Sequence, residues 1–147
     1  ILILEGSPRL NGNSCLLSDE FARGAEEAGC SVEKIAVARK RVAGCLGCNA
    51  CYRNDGVCVQ KDDMVEIREK MLGADVIVLA SPVYVYHVTG PMKALLDHYG
   101  YRWMVHRPQE GMFFKQAVCL ATAAGAGTAF CGSASSGASR KTAIINK

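Results

Sequence analysis

The fold is decided by the first stretch of the chain, residues 1–14, which is ILILEGSPRLNGNS. Its four leading apolar residues, ended by Glu5 and Gly6, predict a short strand that is buried on both faces. A polar loop follows, and either Asn13 or Ser14 is suited to cap the helix predicted after it. Strand, glycine-containing loop and helix in immediate succession form the first unit of an α/β pattern.

The same alternation continues along the chain. Apolar runs predict further strands at residues 31–38, 76–80 and 116–122. Apolar spacing and end signals predict helices at residues 62–73 and 91–99, and the first helix is expected to stop at Gly29. Strands separated by helices predict a doubly wound parallel sheet, and such sheets bind ligands beyond the carboxyl ends of their strands.

Composition limits the class of protein. The chain has 147 residues, 50% of them hydrophobic and 21% charged, so one domain with one substantial core is expected. A net charge of +3 is too small to indicate a nucleic-acid or membrane surface. Since the sequence offers neither an export signal nor a membrane-spanning stretch, a cytoplasmic protein is expected, in which disulfides are rare.

The first loop, residues 6–14, has the composition of an anion site. Backbone N–H groups at a helix N-terminus attract negative charge, and Arg9 can add a charged hydrogen bond. The glycine spacing fits neither a dinucleotide fingerprint nor a P-loop. The loop therefore predicts phosphate binding, and a plain turn with a helix cap is the alternative.

Three loops, in chain order, resemble those of one family. Residues 6–14 resemble the phosphate loop of the flavodoxin-like NADPH-dependent FMN reductases. Residues 81–84, SPVY, resemble the flavin-ring loop of that family, and residues 124–127 resemble its second ring loop. Residues 92–97 match the helix after the first ring loop. The resemblance implies an α/β fold with a flavodoxin-like doubly wound parallel sheet.

The resemblance also implies FMN as the cofactor. It assigns the FMN phosphate to Ser7, Arg9, Asn13 and Ser14. It places the flavin ring between two groups of residues: Pro82, Val83, Tyr84 and Val85 on one side, and Ala124, Gly125 and Ala126 on the other. No catalytic side chain is expected, because the flavin carries the chemistry. NAD(P)H is the implied co-substrate, a small molecule or a protein is the implied acceptor, and family habit implies a homodimer or homotetramer.

A cysteine-rich segment, residues 39–61, separates the second strand from its helix and is long for such a connection. It holds half of the chain's 8 cysteines in the pattern C-x2-C-x2-C-x6-C, at Cys45, Cys48, Cys51 and Cys58. On spacing alone an iron–sulfur cluster, a zinc ion and a redox-active dithiol all remain open. Residues 44–64 resemble the cysteine motif of iron–sulfur flavoproteins, which implies a [4Fe–4S] cluster on these four cysteines.

Three functions follow as hypotheses. The first is an FMN-dependent oxidoreductase that passes a hydride from NAD(P)H through the flavin to an acceptor. The second is an iron–sulfur flavoprotein that carries single electrons, and the third is a metal-stapled phosphate-binding module without redox activity. The single domain spans residues 1–147, but residues 129–147 stay unassigned. The last strand and helices of the family's fold are not recognised there, although residues 142–146 are a candidate short strand.

Overall fold

A parallel sheet with helices on both faces makes up the protein. The computed structural model describes residues 1–105, 115–124 and 140–146. The elements in chain order are β1 (Leu2–Glu5), α1 (Asn13–Glu27), β2 (Glu33–Ala36), α2 (Met64–Gly73), β3 (Val76–Pro82), α3 (Gly90–Val105), β4 (Gln116–Ala123) and β5 (Arg140–Asn146). Two short 3-10 turns lie between β2 and α2, at Val37–Arg39 and Ala50–Arg53.

Within the described residues, five parallel strands form the sheet in the order β2-β1-β3-β4-β5. This is the flavodoxin-like order, in which the winding direction reverses between β1 and β3. The predicted fold class is confirmed. The reversal leaves a crevice at the carboxyl ends of β1 and β3, where the two loops that follow these strands diverge.

The fifth strand corrects the expectation that the sheet is one strand short. β5 includes the candidate residues 142–146 and pairs with β4 from Ala117↔Arg140 to Ala123↔Asn146. So short a run cannot be identified as a strand from its periodicity alone. It becomes a strand because the backbone groups of β4 provide its hydrogen-bond partners. The rest of the unassigned tail, residues 129–139 and 147, lies outside the described residues.

The core is divided by the sheet into two parts, because successive side chains of a strand point to opposite faces. Leu2 and Leu4 of β1 pack with Ile67 of α2 and Leu95 of α3 on one face. Ile3 packs on the other face, the α1 side, in the second part of the core. Burial of β1 on both faces explains why its sequence is a continuous apolar run.

Several element ends differ by a few residues from those that the sequence predicts. Gly12 is the N-cap of α1, so Asn13 and Ser14 lie in the first helical turn rather than at the cap. Gly29, with φ of +86°, follows the end of α1 as predicted, and its N–H donates to Glu26 O at 2.9 Å. β2 is shorter than predicted because the chain enters a 3-10 turn at Val37. No helix within the described ranges combines the length and apolarity that a membrane crossing needs.

Candidate FMN site and cysteine-rich segment

Residues of all three predicted binding loops meet around one cavity at the carboxyl edge of the sheet. The cavity has a volume of about 430 Å³, which is within the range of small-molecule sites. Eight of the eleven residues predicted to bind the cofactor line it: Ser7, Arg9, Asn13, Ser14, Pro82, Val83, Tyr84 and Ala124. Sequence reasoning missed three further lining residues, Gly12, Thr122 and Ala123.

Of the other three predicted residues, Val85 is not among those that line the cavity. Val85 stands at the tip of the loop after β3 and is 92% exposed. Gly125 and Ala126 lie outside the described residues. The assignment of all eleven residues to FMN therefore stays a prediction.

One end of the cavity is the N-terminus of α1. Since the helix begins at Asn13, the N–H groups of Asn13 and Ser14 have no acceptor within the helix. Arg9 is exposed beside this end, and no carboxylate in residues 1–105, 115–124 and 140–146 pairs with its side chain. The free N–H groups, the helix dipole and the guanidinium together favour an anion such as a phosphate.

The loop that carries Arg9 is shaped by Ser7 and Gly12. Ser7 Oγ donates to Arg9 O at 2.9 Å and accepts from Arg9 N at 3.2 Å. The hydroxyl hydrogen of Ser7 is therefore used inside the loop. Towards a ligand, only the Ser7 oxygen remains, as a hydrogen-bond acceptor. A Cβ on Gly12 would lie 3.3 Å from Ser7 Oγ and 3.4 Å from Arg9 O, so this tight turn favours glycine.

Gly6 lets the same loop approach α3. A Cβ on Gly6 would lie 2.9 Å from both Met92 Cβ and Thr89 Oγ1, closer than side-chain atoms normally approach. Thr89 Oγ1 donates to Gly6 O at 2.7 Å, and Gly6 N donates to Ala80 O at 2.8 Å. These contacts join the ends of β1 and β3 to the start of α3.

A strained turn forms the opposite side of the cavity mouth. Tyr84 and His87 exchange two backbone hydrogen bonds, of 2.8 and 3.0 Å, around Val85 and Tyr86. Val85 has φ of 46° and Tyr86 has φ of 63°. Turns with two such residues normally use Gly, Asn or Asp, and a β-branched residue there is an outlier. The turn holds apolar side chains out beside the cavity, with Tyr84 41% exposed and Tyr86 72% exposed.

Thr122 connects the two ends of the cavity. Its Oγ1 lies 2.7 Å from Ser14 Oγ, and its carbonyl accepts from Val83 N at 2.9 Å. In the β3–β4 ladder it pairs with Pro82. A usable signal was present in the sequence, since a hydroxyl residue ends the apolar run of β4 next to the predicted second ring loop.

A buried carboxylate lies behind the anion end. Glu5, at the end of β1, accepts a hydrogen bond from Ser18 Oγ, and its Oε1 lies 3.0 Å from Lys34 Nζ. Burial disfavours the Lys34 cation, but hydrogen bonds from its ammonium to Asp19 and Glu5 outweigh that cost and raise the pKa of Lys34. Because Lys34 stays charged, the negative charge of Glu5 is compensated close to the predicted phosphate loop.

Hydrogen bonds close the base of the cysteine-rich segment, where the chain leaves the sheet and returns to α2. Arg41 N donates to Asp63 Oδ2 at 2.7 Å, Asp63 N donates to Arg41 O at 3.0 Å, and Ala43 N donates to Asp62 Oδ2 at 2.9 Å. These two aspartates precede α2, and they bind the start of the segment to the chain just after its end. The segment is a loop whose two ends are held together by backbone and carboxylate hydrogen bonds.

The four clustered cysteines are free thiols in this loop. Cys45, Cys51 and Cys58 are half-buried, and Cys48 is exposed. Four thiols in 14 residues are the right donors for an iron–sulfur cluster, but in the described part of the chain no three Cys, His, Asp or Glu side chains are arranged to hold a metal ion. The fit is therefore one of chemistry and not of geometry, and the ligand assignment stays a prediction.

Comparison with known sequences identifies the family. The family model of NADPH-dependent FMN reductases matches residues 1–138. An iron–sulfur flavoprotein of Archaeoglobus fulgidus is 40% identical over 100 residues, which are 66% of this chain and 45% of that protein. An iron–sulfur flavoprotein of Methanocaldococcus jannaschii is 41% identical over 97 residues, 66% of this chain and 50% of that protein. The chain spans about half the length of these curated relatives.

Solved structures agree on the fold. RosB with a bound intermediate, OHC-RP, superposes with a TM-score of 0.76 at 18% identity, over 99% of this chain and 64% of that one. An NAD(P)H:quinone oxidoreductase of Methanothermobacter marburgensis gives 0.71 at 19% identity, over 99% and 82%. By its family model and by its fold, this chain belongs to the NADPH-dependent FMN reductase family, with iron–sulfur flavoproteins among its relatives.

Proposed function

We propose that this chain binds FMN at the carboxyl edge of its sheet and acts as an FMN-dependent oxidoreductase. The observation that carries the proposal is the cavity of about 430 Å³ between the N-terminus of α1 and the loop after β3. One end of this cavity suits a phosphate and the other is apolar, as FMN requires. Membership of the family supports the same cofactor.

Different residues bind the phosphate and the ring of FMN. The N–H groups of Asn13 and Ser14 and the guanidinium of Arg9 bind the phosphate, because they supply donors and positive charge where an anion fits. Pro82 and Val83 provide apolar surface for the ring. When bound, FMN supplies the capacity to take up and release a hydride or single electrons. The protein contributes position and local electrostatics, so no acid or base side chain is assigned.

NAD(P)H as the hydride donor is the finer part of the proposal, with a small molecule or a protein as the acceptor. The description of the family and that of the quinone oxidoreductase neighbour support a nicotinamide donor. Anaerobic mixing of the FMN-loaded protein with NADPH, NADH or a ferredoxin-type donor separates the alternatives. Bleaching of the flavin by NADPH or NADH supports hydride transfer, and bleaching by the single-electron donor alone contradicts it.

The test of the FMN site uses two arginines of the same region. Arg9→Ala should weaken FMN binding by about 1.5–3 kcal/mol, since a charged hydrogen bond to phosphate is lost. Arg23→Ala is the matched control, because Arg23 pairs with Glu20 and Glu27 on the exposed face of α1, about 15 Å further along the helix. Fluorescence quenching of added FMN measures both affinities. Protein that takes up no FMN contradicts the proposed function, and equal affinities of the two variants remove Arg9 from the site.

The cysteine-rich segment favours a second candidate function, a single-electron carrier with FMN and a [4Fe–4S] cluster. Its support is the loop with four free thiols and the names of the two iron–sulfur flavoproteins to which the chain is similar. Anaerobically purified protein should then contain iron and sulfide. Cys48→Ser should lose the iron and keep FMN, whereas Cys30→Ser, at an exposed cysteine outside the segment, should keep both. Iron-free wild-type protein after cluster reconstitution contradicts this candidate.

The assembly and location of the protein are also proposals. A homodimer or homotetramer is expected from the habit of the family, and light scattering of the FMN-loaded protein measures it. Cytoplasmic location stays a prediction. The third hypothesis is a metal-stapled module without redox activity. Protein that binds phosphate compounds but no flavin would support it.

A further inference from the structure

Thr122 has a fixed position between the two ends of the FMN cavity. Its backbone is held by the ladder pairing with Pro82 and by the hydrogen bond from Val83 N to its carbonyl, 2.9 Å long. Its side-chain hydroxyl reaches the first turn of α1, where Oγ1 lies 2.7 Å from Ser14 Oγ. The hydroxyl of Thr122 is therefore set by the sheet, while the hydroxyl of Ser14 is set by the helix.

The strand alternation explains why Thr122 faces α1. Leu120, two residues earlier in β4, packs with Ile3 and Val78 in the part of the core beneath α1. Residues two apart on a strand share a face, so Thr122 continues this row to the edge of the sheet. There the row meets Ser14, which is only 3% exposed. The last side chain of a core-facing row is thus a hydroxyl that lines the cavity.

The hydrogen atoms of this hydroxyl pair can be counted. Each hydroxyl has one hydrogen to donate and lone pairs to accept, so two hydroxyls in contact use one hydrogen and leave the other. Among the described residues, the structure gives neither hydroxyl another side-chain or backbone partner. A phosphate dianion at the N-terminus of α1 accepts hydrogen bonds and donates none. It therefore selects the arrangement in which Thr122 donates to Ser14 and Ser14 donates to the phosphate.

We infer that Thr122 is a positioning residue for the FMN phosphate, which it serves by donating its hydrogen to Ser14 Oγ. The donated bond leaves the hydrogen of Ser14 directed to the anion, and it polarises the Ser14 hydroxyl in the same sense. The inference rests on the proposed FMN site and adds to it a residue that acts through Ser14. Since the effect passes through the phosphate, it should vanish for a flavin that has none.

The experiment compares FMN with riboflavin, which lacks the phosphate. Thr122→Val keeps the shape of the side chain and removes its hydroxyl, and it should weaken FMN binding about five- to tenfold, the value of one neutral hydrogen bond. Riboflavin binding should change by less than about twofold, because no bond to phosphate is at stake. Thr122→Ser should restore the FMN affinity. Quenching of flavin fluorescence measures all the dissociation constants, and thermal unfolding checks that each variant is folded.

The outcomes separate this inference from the proposed function. Equal weakening of both flavins by Thr122→Val overturns the inference, since it indicates a role in shaping the cavity. An unchanged preference for FMN over riboflavin also overturns it, while the proposed FMN site stands. In a Ser14→Ala background, Thr122→Val should cost no further FMN affinity, and a further loss contradicts action through Ser14. Thr122→Ala is the second variant if valine prevents folding. Wild-type protein that binds neither flavin overturns the proposed function itself.

Discussion

The proposed FMN cavity and the cysteine-rich segment lie at the same edge of the sheet but are built in different ways. The cavity is assembled by the ladder itself, since Gly6 N bonds to Ala80 O and Val83 N bonds to Thr122 O. The cysteine-rich segment is a loop whose base is closed by hydrogen bonds to Asp62 and Asp63. The comparison teaches that a site bound to strands has its geometry before any ligand arrives. A site on a closed loop has its donors, but their convergence depends on what they bind.

The largest expected effect tests the rigid half of this comparison. Gly6→Ala should destabilise the protein by about 1–3 kcal/mol, because the new methyl group meets Met92 Cβ and Thr89 Oγ1 at 2.9 Å and the start of α3 must shift. Because the same backbone shapes the cavity, FMN affinity should fall as well. Urea unfolding and flavin titration measure the two effects. Gly24→Ala is the control, since a Cβ there meets nothing within 4 Å, and a loss equal to that of Gly6→Ala would break the argument.

A smaller effect tests the base of the cysteine-rich segment. Asp63→Ala removes the acceptor of the Arg41 N–H, at a cost of about 1 kcal/mol in the free energy of unfolding. The loop should then be cut faster by a protease, while FMN affinity stays unchanged, because none of the residues that line the cavity belongs to the segment. Limited proteolysis with a parallel flavin titration gives the measurement. A matching loss of FMN affinity would show that the two regions are not independent.

The smallest effect concerns the strained turn at the cavity mouth. Val85→Asn should stabilise the protein by about 0.5–1 kcal/mol, because asparagine tolerates the positive φ that a β-branched residue resists. Thermal unfolding measures the gain, and Val65→Asn, at an exposed apolar residue of α2, is the control for polarity. A loss of stability at position 85 would mean that the turn is not under strain.

Sequence reasoning located the features that depend on nearby residues. The apolar run of β3 and the glycine after α1 were recognised because burial and positive φ leave local signatures. Eight residues of the cavity followed from loops at strand ends and from the family resemblance. The family and the fold class were both confirmed.

Other features depend on partners that a single stretch of sequence does not reveal. β5 needs the edge of β4 to become a strand, and Thr122 becomes a site residue only when Ser14 is known to lie beside it. The N-cap of α1 is Gly12, one residue before the first predicted candidate. There the loop ends in extended backbone, without a capping side chain. The positive φ of Val85 is imposed by closure of its turn against the sequence preference.

The hydrogen bond between Ser14 and Thr122 joins residues that are 108 positions apart in the chain. During synthesis on the ribosome, α1 and the first two strands can form long before residue 122 emerges. Closing so long a loop is slow compared with forming a helix, and the cavity is complete only afterwards. If a nascent chain binds FMN, the binding would therefore begin only after β4 has joined the sheet.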